Sequence, residues 1–156
     1  MVTVRRESYT TDNQAQQLTD AYADYLRRFD WSVYAYLTFR RKPSPERAIN
    51  LFNTWVNDVK AESGLNIEYV RARETWNWRY NPHFHVLLGT SETPTKLYRW
   101  VRRWHRLAGI AKVDAYDPDR DACRYIAWKW VREKAEIDFS DEIKDLLREE
   151  IKDSLR

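Results

Sequence analysis

The chain predicts an α+β fold, one antiparallel sheet with helices packed on it, and three observations carry that expectation. Stretches rich in β-branched and aromatic residues (WSVYAYLTFR from Trp31, NIEYVRARETW from Asn66, NPHFHVLLG from Asn81) read as strands. Between and around them run segments whose apolar residues recur every three or four positions, the helical period. Only a short turn separates the second and third strand segments, so an antiparallel hairpin is their simplest pairing.

The elements follow in order. Residues 1–11 are polar and read as poorly ordered. Leu18, Ala21, Tyr22, Tyr25 and Leu26 set the period of an amphipathic helix from Asp12 to Arg28. The first strand, Trp31 to Arg40, ends in Leu37-Thr38-Phe39 and a basic turn, Arg40-Arg41-Lys42. Ser44-Pro45-Glu46 starts a helix: Ser as N-cap, Pro at the first helical position, an acid in the first turn. That helix runs to Glu62 with Leu51, Phe52, Trp55, Val56 and Val59 on one face, and Ser63-Gly64 closes it.

Asn66 to Trp76 is the second strand, and the turn after it leads into the third, Asn81 to Gly89. Thr93-Pro94 opens a helix to Leu107, Ile110 to Tyr116 is a short strand, and Asp117-Pro118 opens a helix to Lys134. A last helix, Ser140 to Leu155, carries an apolar stripe. From Trp31 the order is β-α-β-β-α-β-α, the split βαβ arrangement of ferredoxin-like domains, with helices covering one face and an added helix at each end.

At 156 residues the chain makes one domain. With 43% hydrophobic and 33% charged residues it is globular rather than disordered. No apolar run reaches membrane-spanning length, the first residues lack a signal-peptide core, and Cys123 is the single cysteine. An intracellular protein is expected, in the cytoplasm of a bacterial or archaeal cell, with no membrane partner and no cysteine-rich zinc site.

Charge is unevenly spread. Residues 136–156 hold eight acids and four bases, a net of −4, so residues 1–135 carry +7. Arginine supplies most of that positive charge, among eight Trp and ten Tyr. Guanidinium groups that fork onto phosphate, beside rings that stack on bases, suit single-stranded nucleic acid. A rigid aromatic core under solvated arginines is the competing reading. The acidic last helix most simply completes the core rather than touching DNA, with a partner or dimer surface as the alternative.

Side chains alternate along a strand, so His83 and His85 project from one face while Phe84 and Val86 take the other. Two imidazoles on one face can hold a divalent metal, and such a site takes a carboxylate as well. Glu74 is the candidate: with a turn centred near Arg79 it lies almost opposite both histidines, and register decides whether it shares their face. The bland alternatives are a solvated strand carboxylate and hydrogen-bonded structural histidines. His105, among Arg102, Arg103 and Arg106, is a surface or nucleic-acid contact.

Downstream, Tyr125 and Lys129 lie one helical turn apart, flanking the apolar stripe of Ala122, Ile126 and Trp130. A metal that polarises a phosphate would make a tyrosine hydroxyl a usable nucleophile, and a nearby ammonium would steady the developing charge. The alternative is a tyrosine packed on the sheet beside a solvated lysine.

Together, Leu37-Thr38-Phe39 at the end of the first strand, the His83-Phe84-His85 strand and the Tyr125 helix with its lysine resemble the three motifs of HUH endonucleases. The chain is most similar to rolling-circle replication initiators (Rep nickases) of small plasmids and viruses, over roughly 31–134. The resemblance implies that His83, His85 and Glu74 hold Mg²⁺ or Mn²⁺ against the scissile phosphate of single-stranded DNA. Tyr125 would attack, leaving a 5′-phosphotyrosine and a free 3′-hydroxyl that primes synthesis, with Lys129 assisting at the phosphate. Thr38, Arg40, Arg41, Arg73 and Arg124 would contact the DNA.

Lys129 stands four residues after Tyr125, where family members commonly have three, and no second helical tyrosine is present, so the type is single-tyrosine. No G-x-x-x-x-G-K-[ST] loop occurs. The partners the resemblance implies are single-stranded DNA at a replication origin, extended or folded as a hairpin, a separate helicase and a host polymerase, with the enzyme a monomer or dimer. Two rivals remain at this stage: an HUH-type single-strand transposase, and a non-catalytic ferredoxin-like module that binds nucleic acid.

Overall fold

The computed structural model describes residues 2–74 and 82–156. Among these residues five α-helices and five strands follow in the order α1 (Val2–Leu26), β1 (Val33–Thr38), α2 (Pro45–Ser63), β2 (Ile67–Arg73), β3 (His83–Thr90), α3 (Leu97–Leu107), β4 (Ala111–Ala115), α4 (Ala122–Arg132), β5 (Glu136–Phe139) and α5 (Asp141–Ser154). The strands form one sheet in the order β4-β1-β3-β2-β5, every neighbouring pair antiparallel. The first four strands take the ferredoxin-like order, and the α+β class expected from the sequence holds.

One face of the sheet holds the larger apolar core, with Arg71 of β2 buried against its rings. Val33, Ala35 and Leu37 of β1 and Phe84, Val86 and Leu88 of β3 point to it. There they meet Phe52, Trp55, Val56 and Val59 of α2 and Trp100 and Trp104 of α3. The indoles also find partners for their N–H groups: Trp55 Nε1 donates to the Trp100 carbonyl at 3.0 Å and Trp104 Nε1 to the Thr38 carbonyl at 2.8 Å. A buried Trp without such an acceptor would lose much of its packing advantage.

The second face carries Val70, Ala72 and Leu87, packed under Leu26 of α1, Cys123 and Ile126 of α4 and Ile143 of α5. Helices thus cover both faces, not one as expected. The terminal helices are the reason: α1 and α5, read as additions, form with α4 a second layer.

Local signals placed α2 correctly. Ser44 Oγ accepts from Arg47 N–H at 3.1 Å, and Gly64 closes the helix with φ 70°. Other boundaries moved. α1 begins at Val2, so residues 2–11 are helical, and it stops at Leu26. Thr93-Pro94 does not start α3; Lys96, at φ 57°, stands before its first turn. Asp117-Pro118 opens only a 3₁₀ turn, Pro118–Arg120, and Asp121 (φ 51°) breaks the chain before capping α4 through Arg124 N–H. The strand β5 was unforeseen; it pairs with β2 and adds an edge. The end of the second expected strand, at Trp76, and the turn near Arg79 lie outside the described residues. Among the described residues no helix is long and apolar enough to cross a membrane.

Gly109 holds the end of β1 against the α3–β4 corner. A Cβ there would overlap the Thr38 carbonyl and come within 2.8 Å of Phe39 Cα, both backbone atoms that cannot swing aside. Gly109→Ala is expected to destabilise the fold by about 1–3 kcal/mol, the usual cost of overpacking, read as a lowered urea midpoint.

Candidate active site

The second face of the sheet is where the polar residues gather, and β3 supplies the first two. In register, His85 stands between Tyr36 of β1 and Ala72 of β2, and His83 lies beside Thr38. Arg73 pairs with Phe84, so Glu74, one residue on, falls on the histidine face, its N–H donating to the His83 carbonyl at 3.4 Å. The register left open by the sequence therefore brings Glu74 to the imidazoles. Its Oε2 lies 2.7 Å from His83 Nε2 and its Oε1 lies 3.7 Å from His85 Nε2.

His85 is 4% exposed, and its Nε2 is buried with no hydrogen-bond partner among the described residues. The 3.7 Å to Glu74 is too long for a hydrogen bond. Its other nitrogen, Nδ1, is 2.7 Å from the Tyr34 hydroxyl. Burial first, then the neighbouring His83, lowers the His85 pKa to about 4, so the ring is neutral at pH 7. Burial likewise raises the Tyr34 hydroxyl to about 12, so it stays protonated. If Nδ1–H donates to Tyr34 Oη, the lone pair falls on Nε2, facing Glu74. An unpartnered buried imidazole nitrogen aimed at a carboxylate and a second imidazole is what a cation site needs.

The spacing also fits. Two atoms bound to one ion at about 2.1 Å can be at most about 4.2 Å apart. The Glu74–histidine separations of 2.7 Å and 3.7 Å, made by its two oxygens, lie inside that limit. One ligand atom from each of the three residues lies within 4.8 Å of the others, so a small inward shift of the side chains suffices to hold one ion. Two nitrogens and one oxygen make a donor set suited to Mn²⁺ and its transition-metal neighbours more than to Mg²⁺, which prefers oxygen.

Helix α4 closes the site from above. Ile126 and Cys123 are fully buried against the sheet, which turns the flank of the helix toward β3. The Tyr125 ring meets His85 edge-on, centroids 5.0 Å apart, and remains 42% exposed. Lys129 is not solvated: it is 8% exposed, and its ammonium bonds Glu74 Oε1 and Glu133 Oε2, the latter at 2.9 Å. It also lies 5.2 Å from the Tyr125 ring centre. Burial lowers the Lys129 pKa, but the bonds to Glu74 and Glu133 outweigh it and raise it overall, so Lys129 is a fixed cation. Burial raises the Glu74 carboxyl, but the bond from Lys129 and the charges of His83 and Lys129 hold it below its ordinary value. A divalent cation would compete with Lys129 for the same carboxylate oxygen.

The residues expected to contact DNA fare unevenly. Thr38 borders His83, with its hydroxyl donating to the Ile110 carbonyl at 3.0 Å. Arg40 donates to the last carbonyls of α3, at His105 and Arg106, so it serves as a helix cap. Arg41 is exposed on the loop into α2. Arg73 alternates with Glu74 to the opposite face and pairs with Glu136 of β5. Arg124 pairs with Asp20 of α1 at 2.7 Å. His105 is exposed on α3, away from the cluster. Sequence reasoning missed Tyr34, Tyr36 and Glu133. Tyr34 and Tyr36 alternate with the buried Val33, Ala35 and Leu37, and Glu133 stands at i+4 from Lys129, so the signals were present.

Two measurements check this arrangement. Tyr34→Phe removes the partner of His85 Nδ1 and is expected to weaken Mn²⁺ binding about 10- to 100-fold by calorimetry, with the melting temperature little changed. In EDTA, the fold holds His85 neutral, so its contribution is complete above about pH 6.5 and is lost as the pH falls toward about 4. Unfolding free energy should drop by on the order of 3 kcal/mol over that window, with His85→Leu flattening the slope. Glu74, held ionised, adds a loss of the same sign at lower pH. No protein-family model, curated protein or solved structure matches the chain.

Proposed function

We propose that this protein is a metal-dependent nickase and strand-joining enzyme for single-stranded DNA, acting as a rolling-circle replication initiator through Tyr125. The observation that carries the reading is the packing of the exposed Tyr125 against His85, whose orphaned Nε2 faces Glu74 and His83. Buried polar nitrogens are as a rule partnered, so the open His85 Nε2 beside a carboxylate and a second imidazole favours a ligand role.

His83, His85 and Glu74 would hold a divalent metal, Mn²⁺ or Mg²⁺, which when bound polarises a phosphate oxygen and withdraws charge from phosphorus. Tyr125 Oη forms the new bond to phosphorus as the bond from phosphorus to the 3′ oxygen breaks. The phenolic proton leaves to water, which the exposure of Tyr125 allows. Lys129 cannot take it, being held as a cation by Glu74 and Glu133. Its ammonium instead offsets the negative charge gathering beside the Tyr125 ring. The departing 3′ oxygen takes a proton from water and becomes the primer end; rejoining reverses these steps with an incoming 3′-hydroxyl. Separate helicase and polymerase activities would extend that end.

A pool of single-stranded oligonucleotides with Mn²⁺ should yield a covalent protein–DNA band that survives boiling in detergent. EDTA or Tyr125→Phe should abolish it, and His85→Ala or Glu74→Gln should reduce its rate at least about 100-fold. A band that persists in Tyr125→Phe removes Tyr125 from the role. Salt-sensitive binding with no band under any metal would instead favour a binding module.

A further inference from the structure

Tyr125 borders a second feature, a hollow of about 280 Å³ between the edge strand β4, the 3₁₀ turn and the start of α4. It lies on the histidine face. Asp114 stands opposite Tyr34 and Lys112 opposite Tyr36, so the row Lys112, Tyr36, His85 runs straight across three strands. We infer that this hollow is a nucleobase pocket that reads the nucleotide next to the attacked phosphate and selects guanine. The inference rests on the reading of the site as one that takes single-stranded DNA.

Its walls are flat and largely apolar: Tyr34, Tyr116 and Tyr125 line it. Tyr34 spends its hydroxyl on His85, and the Tyr116 hydroxyl lies 3.5 Å from Cys123 Sγ. Two walls therefore offer rings rather than spare hydroxyls, which suits an unpaired base held against aromatic side chains. A volume at the lower end of ligand pockets admits one base rather than a larger group.

Two carboxylates stand in the lining, and only one is open. Asp117 accepts from Asp119 N–H at 3.0 Å and lies 3.8 Å from Arg120. Among the described residues Asp114 forms one long ion pair, with Lys112 at 3.9 Å, and no hydrogen bond reaches its side chain. Its two oxygens can accept two parallel donors. Guanine alone presents two adjacent donors, N1–H and the amino group, on one edge. Adenine and cytosine present one amino donor beside an acceptor, and thymine presents one N–H between two carbonyls that a carboxylate repels. Lys112 and Arg120 supply cations for the flanking phosphates.

The Tyr125→Phe protein in EDTA keeps the ring and removes both cleavage and metal from the measurement. The probes are dye-labelled heptanucleotides of thymidine, with or without one central deoxyguanosine, deoxyadenosine or deoxycytidine, followed by anisotropy. The deoxyguanosine probe should bind about tenfold more tightly than all-thymidine, with the other two between. Asp114→Asn should bring the four within about twofold while the all-thymidine affinity changes by less than about twofold. Equal binding of all four by the starting protein, no binding, or a preference that survives Asp114→Asn overturns the pocket. So does displacement of the probe by free dGMP at a concentration near the probe's own Kd, which would mark a mononucleotide site. The Mn²⁺ adduct assay separates the two readings. Adducts without a base preference keep the nickase and remove the pocket, whereas a preference lost in Asp114→Asn without any adduct keeps the pocket and removes the nickase.

Discussion

The pairing of β2 with β3 sets Ala72 beside His85 and Arg73 beside Phe84, and a strand's side chains can only alternate. Glu74 must then share a face with both imidazoles, while Arg73 must leave it. A slip of one residue would put Arg73 among the histidines and Glu74 in the aromatic layer beneath, burying an unpaired carboxylate there. That layer guards the register. Phe84, Val86 and Leu88 are interlocked with Phe52 and with Phe39 and Trp104, and the buried Arg71 guanidinium lies over the Phe52 and Phe84 rings, paired with Asp138. The geometry of the polar face is thus fixed from the apolar one.

Parts of this were readable without coordinates, for definite reasons. Ser44-Pro45 and Gly64 bound α2 because cap and turn chemistry are local. His83 and His85 share a face because the period of a strand is two. Tyr125 and Lys129 come together because a helical turn spans four residues. What failed depended on contacts distant in sequence. The four residues of β5 become a strand only because β2 offers a free edge, and Arg71–Asp138 and Arg73–Glu136 pairs secure it. Helices on the second face needed α1 and α5 to find the sheet. Nothing nearby in sequence announces the α3 carbonyls that Arg40 caps. The one-residue break at Asp121 was invisible for a related reason: its carboxylate is held by Arg27, 94 residues away.

That last pair belongs to a larger arrangement. Arg27 grips both oxygens of Asp121, Arg124 meets Asp20, Arg132 meets Asp12, and Tyr22 stacks on Trp130 with centroids 4.2 Å apart. Each exposed ion pair adds at most about 1 kcal/mol. Their collective effect is directional: α1 fixes the height and rotation of α4, and hence where Tyr125 and Lys129 stand over the histidines.

The order of synthesis gives this clamp a temporal meaning. α1 leaves the ribosome before any strand, yet its partner follows by about a hundred residues, as the 120-residue separation of Asp12 from Arg132 measures. The aromatic layer and the histidine floor, contributed by residues before α4, can assemble while α1 still waits. Docking of α1 with α4 then completes the site late, across one of the long separations the chain must close. The Tyr125 hydroxyl would meet its cationic surroundings only after the sheet that holds them is in place.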